Sequence, residues 1–385
     1  MKQLTPTPPR EGLSHPMEFT TQKVDFLREI SRVQGVVERK NTIPILANVL
    51  VRAADGKIEL RATDLEVGLQ TFCPAEVKSP GSVTLAARKL FEIGRALPEA
   101  AIRFQGQPNH WVAIECEKSR FRMVGLPEGD FPALPEPSFD DGVKIPGATF
   151  RRMVERVIFA TTSDDARYSL NGSLMILRKG FLALVASDGH RLAYVSAEVP
   201  ISPASAETRV VVPRKALAEI ARLCAEVEED VLFGHHENHL FFRVGPCTLD
   251  CRVLEGNFPN FEKVIPRDND KDIEMGTTQL SDAIRRVSLL SDERARPVKV
   301  AVSPGKLEIS SHSPESGEAS EALAVDYSGI PIEIGFNARY LLDFLGAVGT
   351  EIVVLSLKDQ MAQGLLRPKD AAGQDYRYVV MPMRI

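Results

Sequence analysis

The chain has 385 residues, a formal net charge of −5 and 44% hydrophobic residues, the balance of a globular protein with room for two to four cores at roughly 100–200 residues each. Its five cysteines, an odd number, fit a reducing compartment rather than a disulfide framework. No apolar run is long enough to span a bilayer and no apolar core near the N-terminus could act as a secretory signal, so the chain is expected in the cytoplasm.

Residues 1–16, rich in proline, read as a disordered tail. The first predicted helix contains Phe26-Leu27-Arg28-Glu29-Ile30-Ser31-Arg32-Val33, and the same pattern returns at Phe150-Arg151-Arg152-Met153-Val154-Glu155-Arg156-Val157 and at Leu280-Ser281-Asp282-Ala283-Ile284-Arg285-Arg286-Val287. Apolar residues at i, i+4 and i+7 make one packing stripe, and the arginine at i+6 is expected to point away from it. A second helix recurs at Arg88-Lys89-Leu90-Phe91-Glu92-Ile93, Lys215-Ala216-Leu217-Ala218-Glu219-Ile220 and Arg339-Tyr340-Leu341-Leu342-Asp343-Phe344. Two signatures with a shared period of 124 to 130 residues (150−26, 280−150, 215−88, 339−215) mean a triplicated domain.

Strands are expected between the helices, for example at 57–61, 181–186, 239–244 and 352–357, where β-branched and aromatic residues are bounded by Gly, Asp, Asn or Pro. Each unit is therefore two helices on mostly antiparallel sheet, an α+β arrangement. Glu128-Gly129-Asp130-Phe131-Pro132 and Glu255-Gly256-Asn257-Phe258-Pro259 mark equivalent domain ends, and the boundaries are expected near 140 and 270, giving domains 17–140, 141–270 and 271–385.

Over the six helix segments 21–33, 88–97, 150–157, 213–223, 280–287 and 337–348 there are 15 Lys or Arg against 7 Asp or Glu, a sum of +8 that leaves −13 elsewhere. An acidic chain that gathers cations on one repeated element is arranged to meet a polyanion there. The candidate contacts are Lys23, Arg28, Arg32, Arg88, Lys89, Arg95, Arg151, Arg152, Arg156, Arg214, Lys215, Arg222, Arg285, Arg286 and Arg339. They come without interleaved aromatics, which fits phosphate contact rather than base stacking.

Enzymatic signatures are missing: there is no P-loop, no dinucleotide fingerprint, no zinc-protease helix and no nucleophile elbow. His235, His236 and His239 form the best metal candidate, and a metal-dependent or hydrolytic enzyme built on them is the alternative function. They sit in a polar stretch leading into a strand, which reads as a hairpin turn, with no metal site or cofactor expected. Asp188 and His190 could suggest an acid/base pair, but without a nucleophile nearby a turn is the simpler reading. Cys247 and Cys251 share one strand face; metal ligation is the alternative, and small buried hydrophobes are the expected role.

Seven stretches carry a resemblance: Asn41-Thr42-Ile43-Pro44-Ile45-Leu46, Ala62-Thr63-Asp64-Leu65, Arg167-Tyr168-Ser169-Leu170-Asn171-Gly172, Ser187-Asp188-Gly189-His190-Arg191-Leu192, Val212-Pro213-Arg214-Lys215, Asn257-Phe258-Pro259 with Val264-Ile265-Pro266, and terminal 378–385. In their order they resemble the bacterial DNA polymerase III beta subunits, the sliding clamps, from about Met17 to the last residue. The resemblance implies a head-to-tail homodimer, a ring around duplex DNA that is held without base readout, with no catalytic constellation. It implies docking of the polymerase III catalytic subunit, the clamp loader and other clamp-binding proteins through a peptide pocket. Carried over by motif, the pocket comprises Leu170, Ser187, Gly189, His190, Arg191, Leu192, Pro259, Lys263, Val264, Val379, Val380, Met381, Pro382, Met383 and Arg384. Lys263 stands where the family often has arginine. The resemblance also suggests Lys40 and Tyr168 as DNA-contacting loop residues, with Ser169 where some members have a second tyrosine. For the dimer seam it points to Lys118, Arg120 and Phe121 meeting Leu289, Leu290, Glu315 and Glu321. The C-terminus is expected as one strand running to the chain end, with Val379, Met381 and Met383 on one apolar face.

Overall fold

The computed structural model describes residues 16–37, 43–162, 165–201, 207–292, 296–370 and 373–384. Six helices stand out among them: α1 (Lys23–Gln34), α2 (Ala87–Ala96), α3 (Gly147–Val157), α4 (Arg214–Glu226), α5 (Thr277–Val287) and α6 (Ala338–Ala347). Each follows a strand directly or after one residue: Glu18–Gln22 runs into α1, Gly81–Ala86 into α2, Glu207–Pro213 into α4, Lys271–Gly276 into α5 and Ile332–Asn337 into α6, while only Pro146 separates Val143–Ile145 from α3. The repeated stripe is the buried face: Phe26, Ile30 and Val33 in α1, Phe150, Val154 and Val157 in α3, and Leu280, Ile284 and Val287 in α5 are at most 5% exposed. The helices pack in pairs, α1 on α2, α3 on α4 and α5 on α6, so each repeat closes its own helical layer over its sheets.

The chain forms two compact units. The first, Met1–Pro137 with Pro246–Asp250, holds a five-stranded sheet ordered Glu76–Ser79, Glu18–Gln22, Ala101–Gly106, Trp111–Cys116, Ser119–Val124, and the neighbouring strands Val67–Pro74, Lys57–Thr63, Asn48–Ala54 and Gly81–Ala86. The second, Ser138–Gly245 with Cys251–Ile385, joins the middle and last repeats through one eight-stranded sheet. There Arg191–Glu198 pairs antiparallel with Gln374–Val380, Leu192 opposite Val379. The last repeat adds a four-stranded sheet with Gly317–Ala324 at one edge and Ile332–Asn337 at the other.

A turn is also triplicated. Asp64 Oδ1 accepts the N–H groups of Glu66 and Val67, Asp188 Oδ1 those of His190 and Arg191, and Asp359 Oδ1 those of Met361 and Ala362, all at 2.8–3.0 Å. A short acceptor that satisfies the next two free donors is why aspartate suits each of these corners.

Candidate functional site

The helix cations fall into three groups. Arg152, Arg214 and Arg339 are exposed, as are Arg88 and Lys89 beside Glu92, Arg28 beside Asp25, and Arg285 near Asp282. Arg95 is exposed on the last turn of α2, and Lys215 is half-buried. Arg151 and Arg222 are half-buried and paired with glutamates on their own helices, Glu155 in one case and Glu219 and Glu226 in the other.

Three of the expected DNA-facing cations are instead buried. Lys23 is 7% exposed; its Nζ donates to the Leu97 carbonyl at 2.5 Å and pairs with Glu99 at 2.8 Å. Arg32 is 5% exposed and donates both Nη1 bonds to Glu29, which also accepts from Thr71. Arg156, also 5% exposed, donates to Gln374 Oε1 at 2.6 Å and to the Val348 carbonyl at 2.9 Å. Residue i+6 sits roughly 120° round the helix from the stripe, on its flank rather than opposite it, so a neighbouring segment can cover it. Arg286 stays exposed, but Glu321 of the last repeat takes its guanidinium at 2.6 and 2.8 Å, joining a helix candidate to a seam candidate. Lys40 lies outside the described residues, as does the side chain of Tyr168.

The turn from Ser187 to Arg191 brings together much of the candidate pocket. Gly189, at φ +88°, lies in the left-handed region, and a Cβ there would meet Arg167 Nη1 at 2.5 Å, so only glycine fits. The Ser187 hydroxyl donates to the Arg191 carbonyl and accepts from the Gly189 N–H. His190 is exposed, and its carbonyl accepts the Met381 N–H at 2.9 Å, fixing the C-terminal strand to the turn. Beneath lies a cluster that includes Leu174, Val185, Leu192, Phe261 and Val379, with Val264 packed against it. Leu170, Leu192, Val379 and Val380 are buried, so they form the pocket's foundation rather than its open surface, whereas Pro259 and Lys263 are exposed.

Arg191 is also enclosed. It is 8% exposed, and its guanidinium donates to Asp188 Oδ2 at 3.0 Å, Asp343 Oδ2 at 2.6 Å and the Phe159 carbonyl at 2.6 Å. It lies over the Tyr340 ring at 4.4 Å and the Phe159 ring at 5.4 Å. Burial works against its charge, and Tyr378, Asp343 and Asp188 more than offset that, holding it above the ordinary arginine value. Phe159, Tyr340 and Asp343 were missed as site residues. The motif reading stopped at Arg191, although Tyr340 and Asp343 stand in plain sight in the repeated helix.

The terminal strand also differs from expectation. It ends at Val380 with Tyr378, Val379 and Val380 all fully buried, because it is flanked on both sides by strands and covered on both faces. Pro382 cannot donate to a ladder, and the chain crosses to another sheet, where the Met383 N–H binds the Gly335 carbonyl at 2.8 Å. Pro382, Met383 and Arg384 line a groove there with Ile334, Met361 and His312. Val379 therefore belongs to the buried cluster and Met383 to the groove.

The seam candidates sit on edges. Lys118, Arg120 and Phe121 are exposed on or beside Ser119–Val124, the outer strand of its sheet. Glu315 is exposed and Glu321 half-buried on or beside Gly317–Ala324, also an outer strand, while Leu289 is 80% exposed and Leu290 half-buried. The histidines form a hairpin, with His236 opposite His239 and a His235 ring nitrogen bonded to the Glu237 carbonyl. Cys247 and Cys251 are buried. Among the described residues, no group of three His, Cys, Asp or Glu is placed to hold a metal.

The fold defines a three-repeat α+β clamp. The chain matches the models of the N-terminal, central and C-terminal domains of the DNA polymerase III beta subunit over residues 17–135, 144–260 and 262–384. It is 38% identical to the beta sliding clamp of Pseudomonas aeruginosa over 370 residues and 36% identical to that of Escherichia coli over 373, in each case covering 96% of this chain and all of the other. Its fold superposes on the crystal structure of the P. aeruginosa subunit with a TM-score of 0.90 at 37% identity, and on a Bartonella birtlesii sliding clamp bound to griselimycin with 0.91 at 34%, again over 96% of this chain and 100% of each. The chain belongs to the DNA polymerase III beta subunit family, the beta sliding clamps.

Proposed function

We propose that two copies of this chain close head to tail into a ring that encircles duplex DNA in the cytoplasm, without sequence preference and without catalysis. The ring gives the polymerase III catalytic subunit its processivity and docks it, the clamp loader and other clamp-binding proteins through the pocket at Ser187–Arg191. The observation that carries the reading is the pair of uncovered sheet edges: Lys118, Arg120 and Arg122 beside exposed Phe121 on one, Glu315, Glu318 and Glu321 beside exposed Leu289 on the other. Bare edge strands invite pairing, and opposite charge fixes which edge meets which. Two unlike surfaces on one chain give a heterologous contact, which closes into a ring when the rotation permits. A ring holds DNA topologically, so each cation's phosphate contact can be weak and exchangeable, as sliding requires.

The domain limits 17–140, 141–270 and 271–385 belong to the same reading, as do the exposed helix cations facing the hole. Native mass spectrometry tests the seam. The wild-type chain should be dimeric, and Leu289→Lys with Leu290→Lys should yield folded monomers, because the apolar contact is lost and each new cation faces Lys118, Arg120 and Arg122 across the joint. A double variant that stays dimeric at the same concentration would place the joint elsewhere.

A further inference from the structure

We infer that Arg191 is a positioning residue, which ties the pocket turn of the middle repeat to helix α6 of the last repeat through Asp343 and Tyr340, and does not itself bind the docked peptide. The inference rests on the pocket reading above. All three guanidinium nitrogens are used within the protein, toward Asp188, Asp343 and the Phe159 carbonyl, and the ring of Tyr340 closes the face. Three of its five N–H donors are held within the protein, and with one face stacked on Tyr340 and only 8% of the residue exposed, the other two are largely shielded from a ligand in solution. What it does hold is the turn: Asp188 accepts from both the Arg191 backbone and its side chain, and the next carbonyl back, that of His190, anchors Met381. Asp343 lies 152 residues on from Arg191 and its side chain is 29% exposed, so a charge on α6 sets where the pocket wall stands.

The test uses the full chain and a fluorescently labelled peptide from the clamp-binding tail of the polymerase III catalytic subunit. Asp343→Asn keeps the shape and removes the charge that grips Arg191; it should weaken the peptide about fivefold to tenfold. It should also shift the methyl resonance of 13C-labelled Met381 with no peptide present, a response that a loss of global stability alone would not produce. Asp343→Glu should recover most of the affinity. Arg191→Met combined with Asp343→Asn should bind no worse than Arg191→Met alone, since both break one link. Should Arg191→Met not fold, Tyr340→Leu removes the stacking surface with the carboxylate intact and should weaken binding in the same direction. Unchanged affinity and an unmoved Met381 signal in Asp343→Asn would overturn the inference, as would losses that multiply in the double variant, which would put Arg191 on the peptide itself. Deleting Met381–Ile385 separates the two readings. If that truncation keeps full affinity the pocket reading fails, whereas lost binding there with silent Asp343→Asn defeats only the role given to Arg191.

Discussion

Arg156 and Arg286 occupy the same position of the same helix in the middle and last repeats, yet they have opposite fates. Arg156 is enclosed by the carbonyl of Val348, the amide of Gln374 and the ring of Tyr376, whose hydroxyl returns a bond to the Arg156 carbonyl. Burial with no carboxylate partner depresses its pKa. Arg286 stands in solvent against Glu321. The first-repeat equivalent, Arg32, is buried a third way, on Glu29 of its own helix. A repeated cation is thus not a repeated function: Arg156 joins the middle repeat to the last, Arg32 is held inside its own repeat, and Arg286 stays in solvent against Glu321. The basic sum over six helices overstated the DNA face, because Lys23, Arg32 and Arg156 belong to the interior.

The contrast can be sharpened most strongly on the exposed side. Replacing Arg95, Arg152, Arg214 and Arg339 by glutamine should reduce DNA association by one to several orders of magnitude at about 0.1 M salt. It should also lower the slope of log affinity against log salt by roughly one for each phosphate left unneutralised, with the melting temperature nearly unchanged. An unaltered slope would take these side chains off the DNA path. On the buried side, Arg156→Ala should cost about 3 kcal/mol of stability by leaving a cavity and two unpaired acceptors, measured by urea denaturation. Arg286→Ala should scarcely move the same transition, since exposed pairs contribute little; equal losses from the two would erase the distinction drawn between them.

A half-buried charge of the opposite sign gives a smaller effect. Asp250 fits only because position 68 is glycine, where a Cβ would stand 2.3 Å from its Oδ1. Burial pushes its carboxyl up to about 6, with Asp64 adding to the rise and Arg61 opposing it. The unfolded chain releases that proton near pH 4, so the folded chain holds the extra proton between about pH 4 and 6. Stability therefore falls as pH rises through that window, and the cost persists above it. Asp250→Asn should be more stable than wild type at pH 7.5, by on the order of 1 kcal/mol, with the difference vanishing near pH 4; an equal gain at both pH values would assign it to something other than this carboxyl.

The helices and their buried stripes were legible because a 3.6-residue period shows in any window of a dozen residues, and three copies rule out accident. The strands at 239–244 and 352–357 were read to the residue because they are short apolar runs between turn signals. The surroundings of Arg156 and Arg191 were not legible because what encloses them lies far along the chain: Val348 is 192 residues from Arg156, Tyr376 is 220, and Asp343 is 152 from Arg191. Local pattern shows which face of a helix is apolar, but not which neighbour covers its flank. The terminal strand was extended too far for a related reason, since alternation continues on paper through Pro382 while the missing N–H ends the ladder there.

The central claim, a ring that holds DNA by enclosing it, is tested most directly by topology. The chain, loaded by a clamp loader onto nicked circular duplex DNA and passed through gel filtration at about 0.15 M salt, should travel with the circle and fall away once a restriction enzyme has made the DNA linear. Equal retention on the circle and on the linear form, or release from both, would contradict encirclement and leave only surface binding.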